Sequence, residues 1–400
     1  MQERSTATLL LTLAFAWGVW LLGFYSLTVF SFLLTPIQNE LHPTDLELAW
    51  LTGIAIGASG VGGLLFGWLA DRMGRRTSIW LAAGTFALGN VFCAFAPSAF
   101  ALALARALTG LGVGGSWGAG QALLGETVPA HLRGRFGALA QSGAPLGLGL
   151  ATLVGTFVAP SWGWSQTLGV SALPVLALAL LARVPESEVW RNHARSSSVA
   201  AELLSRGNAG TFLKCQILTV LNMSNYWFAI TWLPRYLQQE RGLSVARSGL
   251  ATLVFVAGSL TGYLAFGWLS DLWGRRRSFT LFCLVMAGGL LMFTVFWPLI
   301  AASPSLVLAF LFVAGLGTGT WSSYGPMMTE LFPTSIRGSA LSIIMNLARG
   351  VQFVAPVVIA AVAPRWGMAG GIALAAGFAV AAALWIWTLP ETRGRVIAKN

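Results

Sequence analysis

The chain has 400 residues, of which 56% are hydrophobic and only 9% charged, with a mean hydropathy of +0.73. A soluble domain carries about 25% charged residues, so these figures exclude a soluble globular protein and leave a polytopic membrane protein. The 24 Lys and Arg against 13 Asp and Glu sit in short loops between apolar runs, where they read as membrane orientation signals and not as a nucleic-acid surface.

Apolar runs of about 20 residues suffice to cross a bilayer. In chain order they fall at 8–33, 49–69, 78–96, 100–124, 136–158 and 165–182. A second set falls at 211–233, 249–269, 279–298, 305–328, 339–363 and 369–389. The expected fold is an all-α membrane protein of twelve transmembrane helices in two pseudo-symmetric six-helix halves. Residues 1–182 make the first bundle, 183–210 a polar central linker with room for one short surface helix, and 211–400 the second bundle. Ala14-Phe15-Ala16 mimics a signal-peptide cleavage site, but the apolar run continues beyond it, so the first helix is expected to stay. With the N-terminus inside, seventeen basic residues fall on the cytoplasmic side and four, Arg235, Arg241, Arg247 and Arg365, outside. Both termini are therefore expected in the cytoplasm. Cys93, Cys215 and Cys283 lie in separate apolar runs without CxxC spacing, which fits small packing residues better than a disulfide framework or a metal site.

The halves repeat each other. FGWLADRMGRR (66–76) returns as FGWLSDLWGRR (266–276), GETVPAHLRG (125–134) as TELFPTSIRG (329–338), and PES (185–187) as PET (390–392). Matches in one order at a near-constant offset mark a duplication. Two parallel six-helix repeats are one architecture of secondary transporters, which bind substrate at the midplane between the halves.

The loop Gly67-Trp68-Leu69-Ala70-Asp71-Arg72-Met73-Gly74-Arg75-Arg76 resembles the signature loop of the major facilitator superfamily, and Arg106-Ala-Leu-Thr-Gly110-Leu-Gly112 resembles that superfamily's second motif. VPESEVW (184–190), GLGVGGSWGAG (110–120) and AQSGAPLG (140–147) are similar to its metabolite:proton symporters, which carry sialate, lactate, aromatic acids and related organic acids. The resemblance implies a monomeric carrier in a bacterial inner membrane that works by alternating access, without a cofactor and with protons as a candidate coupling ion. Asp71 with Arg75, or with an arginine across the halves, and Asp271 with Arg275 would form the cytoplasmic latch of the outward-facing state. The other reading is a topogenic loop whose arginines only fix orientation. Glu126 with Arg133 and Glu330 with Arg337 flank Pro129 and Pro333, as a paired gate network or as solvated helix ends.

The chain departs from those symporters twice. Leu22-Gly23-Phe24-Tyr25 stands where they carry an acidic patch in the first helix, and Ser116 precedes Trp117 where they carry Glu. Without these carboxylates the open couplings are proton carriage by the substrate's own acid, exchange and facilitated diffusion.

An ionisable residue inside a span is costly and marks a candidate site. Arg349 lies near the centre of span eleven, with Asn346 and Gln352 three residues to either side, approximating one polar face. Arg106 lies about two turns into span four, to line the cavity or to reach back toward headgroups. Lys214 is expected to snorkel. No Asp or Glu occupies the middle of any expected span, so the cavity carries a net positive field, and a guanidinium fork matches a carboxylate. The expected substrate is a small organic anion of the carboxylate type; alternatively, Arg349 ties backbone carbonyls or Asn346 in a packed interface. Tyr25, Gln141, Asn222, Asn225, Tyr226, Trp321 and Tyr324 sit in spans that the resemblance places along the pathway, as ligand contacts or as helix–helix contacts. His42, His131 and His193 fall in loops, and no HExxH or Walker sequence occurs, so an enzyme is not expected. Proton-coupled drug efflux and a non-transporting receptor are the competing functions.

Overall fold

A computed structural model describes residues 6–128, 136, 139–174, 184–192, 208–332 and 336–393. Helix α1, Thr6–Thr28, runs into a 3-10 turn, Val29–Phe32, and a short helix α2, Leu34–Leu41. There follow α3 (Asp45–Met73), α4 (Arg75–Ala94) and α5 (Ala99–Thr127). The first half closes with α6 (Gly143–Leu153) and α7 (Ala159–Val170). A short helix α8, Glu188–Asn192, lies in the expected linker. The second half repeats the order with α9 (Ala209–Ile230), α10 (Leu233–Gln239), α11 (Val245–Trp273) and α12 (Arg275–Phe293). Helix α13 (Pro304–Gly317) passes through a 3-10 turn, Thr318–Ser323, into α14 (Tyr324–Leu331), and α15 (Arg337–Val351) and α16 (Val354–Trp385) end the bundle.

Local chemistry sets the helix starts. Thr44 opens α3 with a capping box, its side chain accepting from the Glu47 N–H while the Glu47 carboxylate takes the Thr44 N–H. Ser244 caps α11 in the equivalent place.

Nine helical runs among the described residues are long and apolar enough to cross a bilayer. Two of them, Leu139–Val170 and Ser339–Thr388, each take in parts of two expected spans. Helix α9 supplies a further span, its hydropathy lowered by Lys214, Gln216, Asn222 and Asn225. The twelve-helix, two-half fold accounts for all of them. Both double runs turn at a glycine of positive φ, Gly163 at +79° and Gly367 at +68°, a conformation that penalises any side chain. Each glycine follows Ala-Pro-x-Trp (159–162 and 363–366), a fourth repeat in register with the match at 125–134.

Leu264 and Leu384 remain 79% and 70% exposed, as helices that are apolar all round require in lipid. Within each half small residues let backbones touch. A methyl on Gly62 would lie 1.9 Å from the Leu111 carbonyl oxygen, and one on Gly262 2.1 Å from that of Leu316. The halves meet through α3 against α15, where a methyl on Gly60 would lie 2.5 Å from the Gly350 Cα. They also meet through the turn after α6 against α11, where a methyl on Gly249 would lie 2.2 Å from the Thr156 hydroxyl. Gly60 stands near the middle of α3. Gly249 and Gly53, whose added methyl would lie 2.5 Å from the Phe353 carbonyl oxygen, lie nearer the end that carries Asp45 and Arg235, so the halves are in contact there. Cys93, Cys215 and Cys283 are buried, free and used as packing residues.

Candidate functional site

Arg349, carried by α15, is 4% exposed and has no acidic partner among the described ion pairs. Its guanidinium lies over two indoles of the opposite half, 5.3 Å from the centroid of Trp20 on α1 and 5.6 Å from that of Trp117 on α5. Both distances fall within cation–π range. Its Nη1 has no hydrogen-bond partner, and neither does the buried indole nitrogen of Trp20. An unpaired buried donor costs about 1–3 kcal/mol, more when it is charged, so both atoms stand out as unsatisfied donors.

A train of rings leads away from the arginine and crosses between the halves. Trp20 packs on Phe24 at 5.6 Å, Phe24 on Tyr226 of α9 at 6.2 Å, Tyr226 on Trp321 at 6.0 Å, and Trp321 on Tyr324 at 5.6 Å. Asn222, one turn before Tyr226, accepts from Asn225 at 3.2 Å and from Thr320 at 3.0 Å. Gln141 accepts from the Trp117 indole at 3.1 Å and so braces one wall of the arginine's cage. Of the expected residues, Arg349, Gln141, Tyr226, Trp321, Tyr324, Asn222 and Asn225 thus form one connected arrangement.

Four others are engaged elsewhere. Arg106 is fully buried inside the first half, donating to the Ser26 carbonyl at 3.0 Å and the Leu27 carbonyl at 3.5 Å, and lying 4.3 Å from the Phe30 ring. Those carbonyls sit where α1 tightens into its 3-10 turn, and the guanidinium satisfies them. Tyr25 shares a 2.8 Å hydrogen bond with Ser171 in its own half. Asn346 packs on Gly63 of α3 and donates to Ser342 at 3.3 Å, while its buried Oδ1 has no partner. Gln352 turns to α9, accepting from Ser224 at 3.2 Å and donating to the Val220 carbonyl at 3.4 Å. The expected polar face of α15 therefore splits. Steps of three residues rotate each side chain by about 60° on a 3.6-residue helix, enough to send the three toward different neighbours.

At the arginine-rich end each half closes on itself. Arg75 pairs with Asp71 at 2.8 Å and Glu126 at 3.0 Å, and Arg275 with Asp271 at 2.7 Å and Glu330 at 3.2 Å. Of the two pairings open to Asp71, the structure has the one within its own half. Arg133 lies outside the described residues, as does the side chain of Arg337. Sequence reasoning missed two carboxylates here. Glu186 accepts from the N–H groups of Arg75 and Arg76, and Glu391 from those of Arg275 and Arg276, placing an anion at the start of α4 and of α12. The PES/PET repeat was their signal. Burial raises the Glu391 carboxyl, but N–H groups of Arg275, Arg276, Thr392 and Arg393 outweigh it and hold the group below the usual carboxylate range.

The opposite end holds another missed contact. Arg235 of α10 reaches across the halves to Asp45 and to Gln38, each at 2.8 Å, and its own side chain is 7% exposed. Trp20 and Trp117 were missed too, although both lie well inside spans and not at the ends where an interfacial belt sits.

Comparison with known proteins adds the wider frame. The family model described as Major Facilitator Superfamily matches residues 9–213 and 215–400. The chain is 30% identical over 391 residues to the "Probable 4-methylmuconolactone transporter" of Cupriavidus pinatubonensis, covering 94% of this chain and 90% of that one. It is 26% identical over 376 residues to the cis,cis-muconate transport protein of Acinetobacter baylyi, covering 90% of this chain and 87% of that one. The fold is shared with the xylose transporter XylE of E. coli in a partially occluded inward open conformation, with a TM-score of 0.78, 21% identity, and coverage of 98% and 100%.

Proposed function

The chain belongs to the Major Facilitator Superfamily, and from that premise we propose that Arg349 is the anion-binding group through which it carries a small unsaturated carboxylate. It is a transporter and not an enzyme, moving a small organic anion by alternating access. The observation that carries the residue-level reading is the orphan Nη1 of Arg349 beside the two indoles of the opposite half. A carboxylate matches the guanidinium fork, while the ring train from Trp20 to Tyr324 offers flat π surfaces to a conjugated skeleton. The relatives named for muconate and 4-methylmuconolactone support the same class.

The closed end, pinned by Arg235 to Asp45, would face outward. The arginine-rich end, with both termini, would face the cytoplasm of a bacterial inner membrane. Release of the Arg235 contact and separation of α3 from α15 would expose the site to the outside. No carboxylate of the described spans touches Arg349, so a coupled proton would travel on the substrate acid.

The test is uptake into proteoliposomes of muconate, benzoate, lactate and sialate, with and without an imposed pH gradient, for the wild type and Arg349→Ala. Saturable uptake of the unsaturated acids, lost in the variant, is expected. Equal uptake by both proteins, or transport of a lipophilic cation and none of the acids, would overturn the reading.

A further inference from the structure

A second, unassigned cleft opens at the arginine-rich end of the second half. It has a volume of about 310 Å³ and is lined by Trp273, Gly274, Arg276, Arg277, Trp387, Glu391 and Arg393. Three guanidiniums face one carboxylate, and that carboxylate is already spent on backbone N–H groups of Arg275, Arg276, Thr392 and Arg393. Arg276 is held in place, 4.4 Å from the Trp387 ring centroid with its Nη2 donating to the Trp387 carbonyl at 3.0 Å, while its buried Nε has no partner.

The duplication separates this charge from simple orientation signalling. In the first half the positions in register with Arg277 and Arg393 are Thr77 and Glu188, so the same fold inserts without those arginines. The cleft also adjoins the lipid-facing wall. Trp273 and Trp387 are 54% and 49% exposed, and Leu281 and Leu284 of α12 and Leu384 of α16 are exposed as well. Exposed indoles at this depth belong at the headgroup level, and basic clusters beside spans recognise anionic headgroups.

We propose that this cleft binds an anionic phospholipid, its phosphate held by Arg276, Arg277 and Arg393 and its acyl chains lying along α12 and α16. A free phosphate shares the headgroup chemistry but leaves the apolar wall unused.

The test uses the full-length protein, purified and delipidated, in native mass spectrometry with added phosphatidylglycerol, phosphatidylcholine or inorganic phosphate. The informative variant is Arg277→Thr with Arg393→Glu, which installs the first half's residues; Arg72→Thr with Arg191→Thr removes two exposed arginines elsewhere. Gel-filtration profiles matching the wild type establish that both variants are folded. The wild type and the control pair should retain phosphatidylglycerol over phosphatidylcholine, and the informative variant should retain about tenfold less. Equal retention by the informative variant, an equal loss in the control pair, or no preference over phosphatidylcholine would overturn the proposal. Displacement of phosphatidylglycerol by millimolar phosphate would assign the cleft to free phosphate and overturn the lipid reading.

Discussion

Arg349 and Trp20 face each other across the two halves, guanidinium carbon to ring centroid at 5.3 Å, with Trp117 closing the other side at 5.6 Å. The contact stands in for an ion pair that the spans do not supply. A cation–π contact contributes about 0.5–2 kcal/mol. Trp20→Leu and Trp117→Leu should each raise the KM for a conjugated acid by roughly 2- to 30-fold, and Trp20→Phe should raise it less. Initial-rate uptake in proteoliposomes reads this, and an unchanged KM in both Leu variants would remove the indoles from the site.

Arg106 should behave differently from Arg349, because its guanidinium holds α1 carbonyls inside one half. Hydrogen bonds to charged groups are worth about 1.5–3 kcal/mol each. Arg106→Met should lower the thermal midpoint of the detergent-solubilised protein while leaving the KM of the surviving fraction within about twofold. A raised KM with an unchanged midpoint would return Arg106 to the binding site.

The seam between the halves predicts a conformational shift. Gly60 leaves no room for a side chain against Gly350, and Arg235 to Asp45 is the ion pair that crosses the halves among the described residues. Thr52 lies on α3 between this ion pair and Gly60, 3% exposed, against a cavity of about 10 Å³. In a Thr52→Cys background, Gly60→Leu and Asp45→Asn should each speed labelling by a membrane-impermeant thiol reagent added outside. Labelling at the parent rate in both would mean that the seam does not hold that end closed.

Glu391 predicts a pH dependence. Its folded pKa lies below the usual carboxylate value, since N–H donors outweigh burial. A group depressed in this way adds stability that is complete above its unfolded pKa and is lost as pH falls through the folded one. Glu391→Gln should therefore destabilise the protein at pH 7, by an amount that solvent screening keeps small because the group is only half-buried. The gap to wild type should close below about pH 4, as the native carboxylate is protonated too. Thermal unfolding across that pH range checks the sign.

Much of this architecture was legible in the residues. Hydropathy and the repeat at 66–76 and 266–276 give the twelve spans and the duplication, because lipid forces every span to be long, apolar and helical. The place of Arg349 was legible for the same reason, since a mid-span charge needs a purpose. What surrounds it was not. Trp20 and Trp117 lie far from Arg349 in the chain, and only the docking of α15 against α1 and α5 brings them over it. Asn346 and Gln352 looked like companions of Arg349 on one helix face, but Gly63 and Ser224 on neighbouring helices claimed them first. Glu186 and Glu391 were visible as the PES/PET repeat, and their attachment to the starts of α4 and α12 depends on tertiary folding.

The most direct measurement is the affinity of the purified protein in nanodiscs for cis,cis-muconate and for its dimethyl ester, read by quenching of tryptophan fluorescence. The wild type should bind the acid and not the ester, and Arg349→Gln should weaken acid binding by about a hundredfold, the effect of losing about 3 kcal/mol of charge-assisted contact. Equal affinity of wild type and Arg349→Gln for the acid, or equal affinity of the wild type for acid and ester, would contradict an anion site at Arg349.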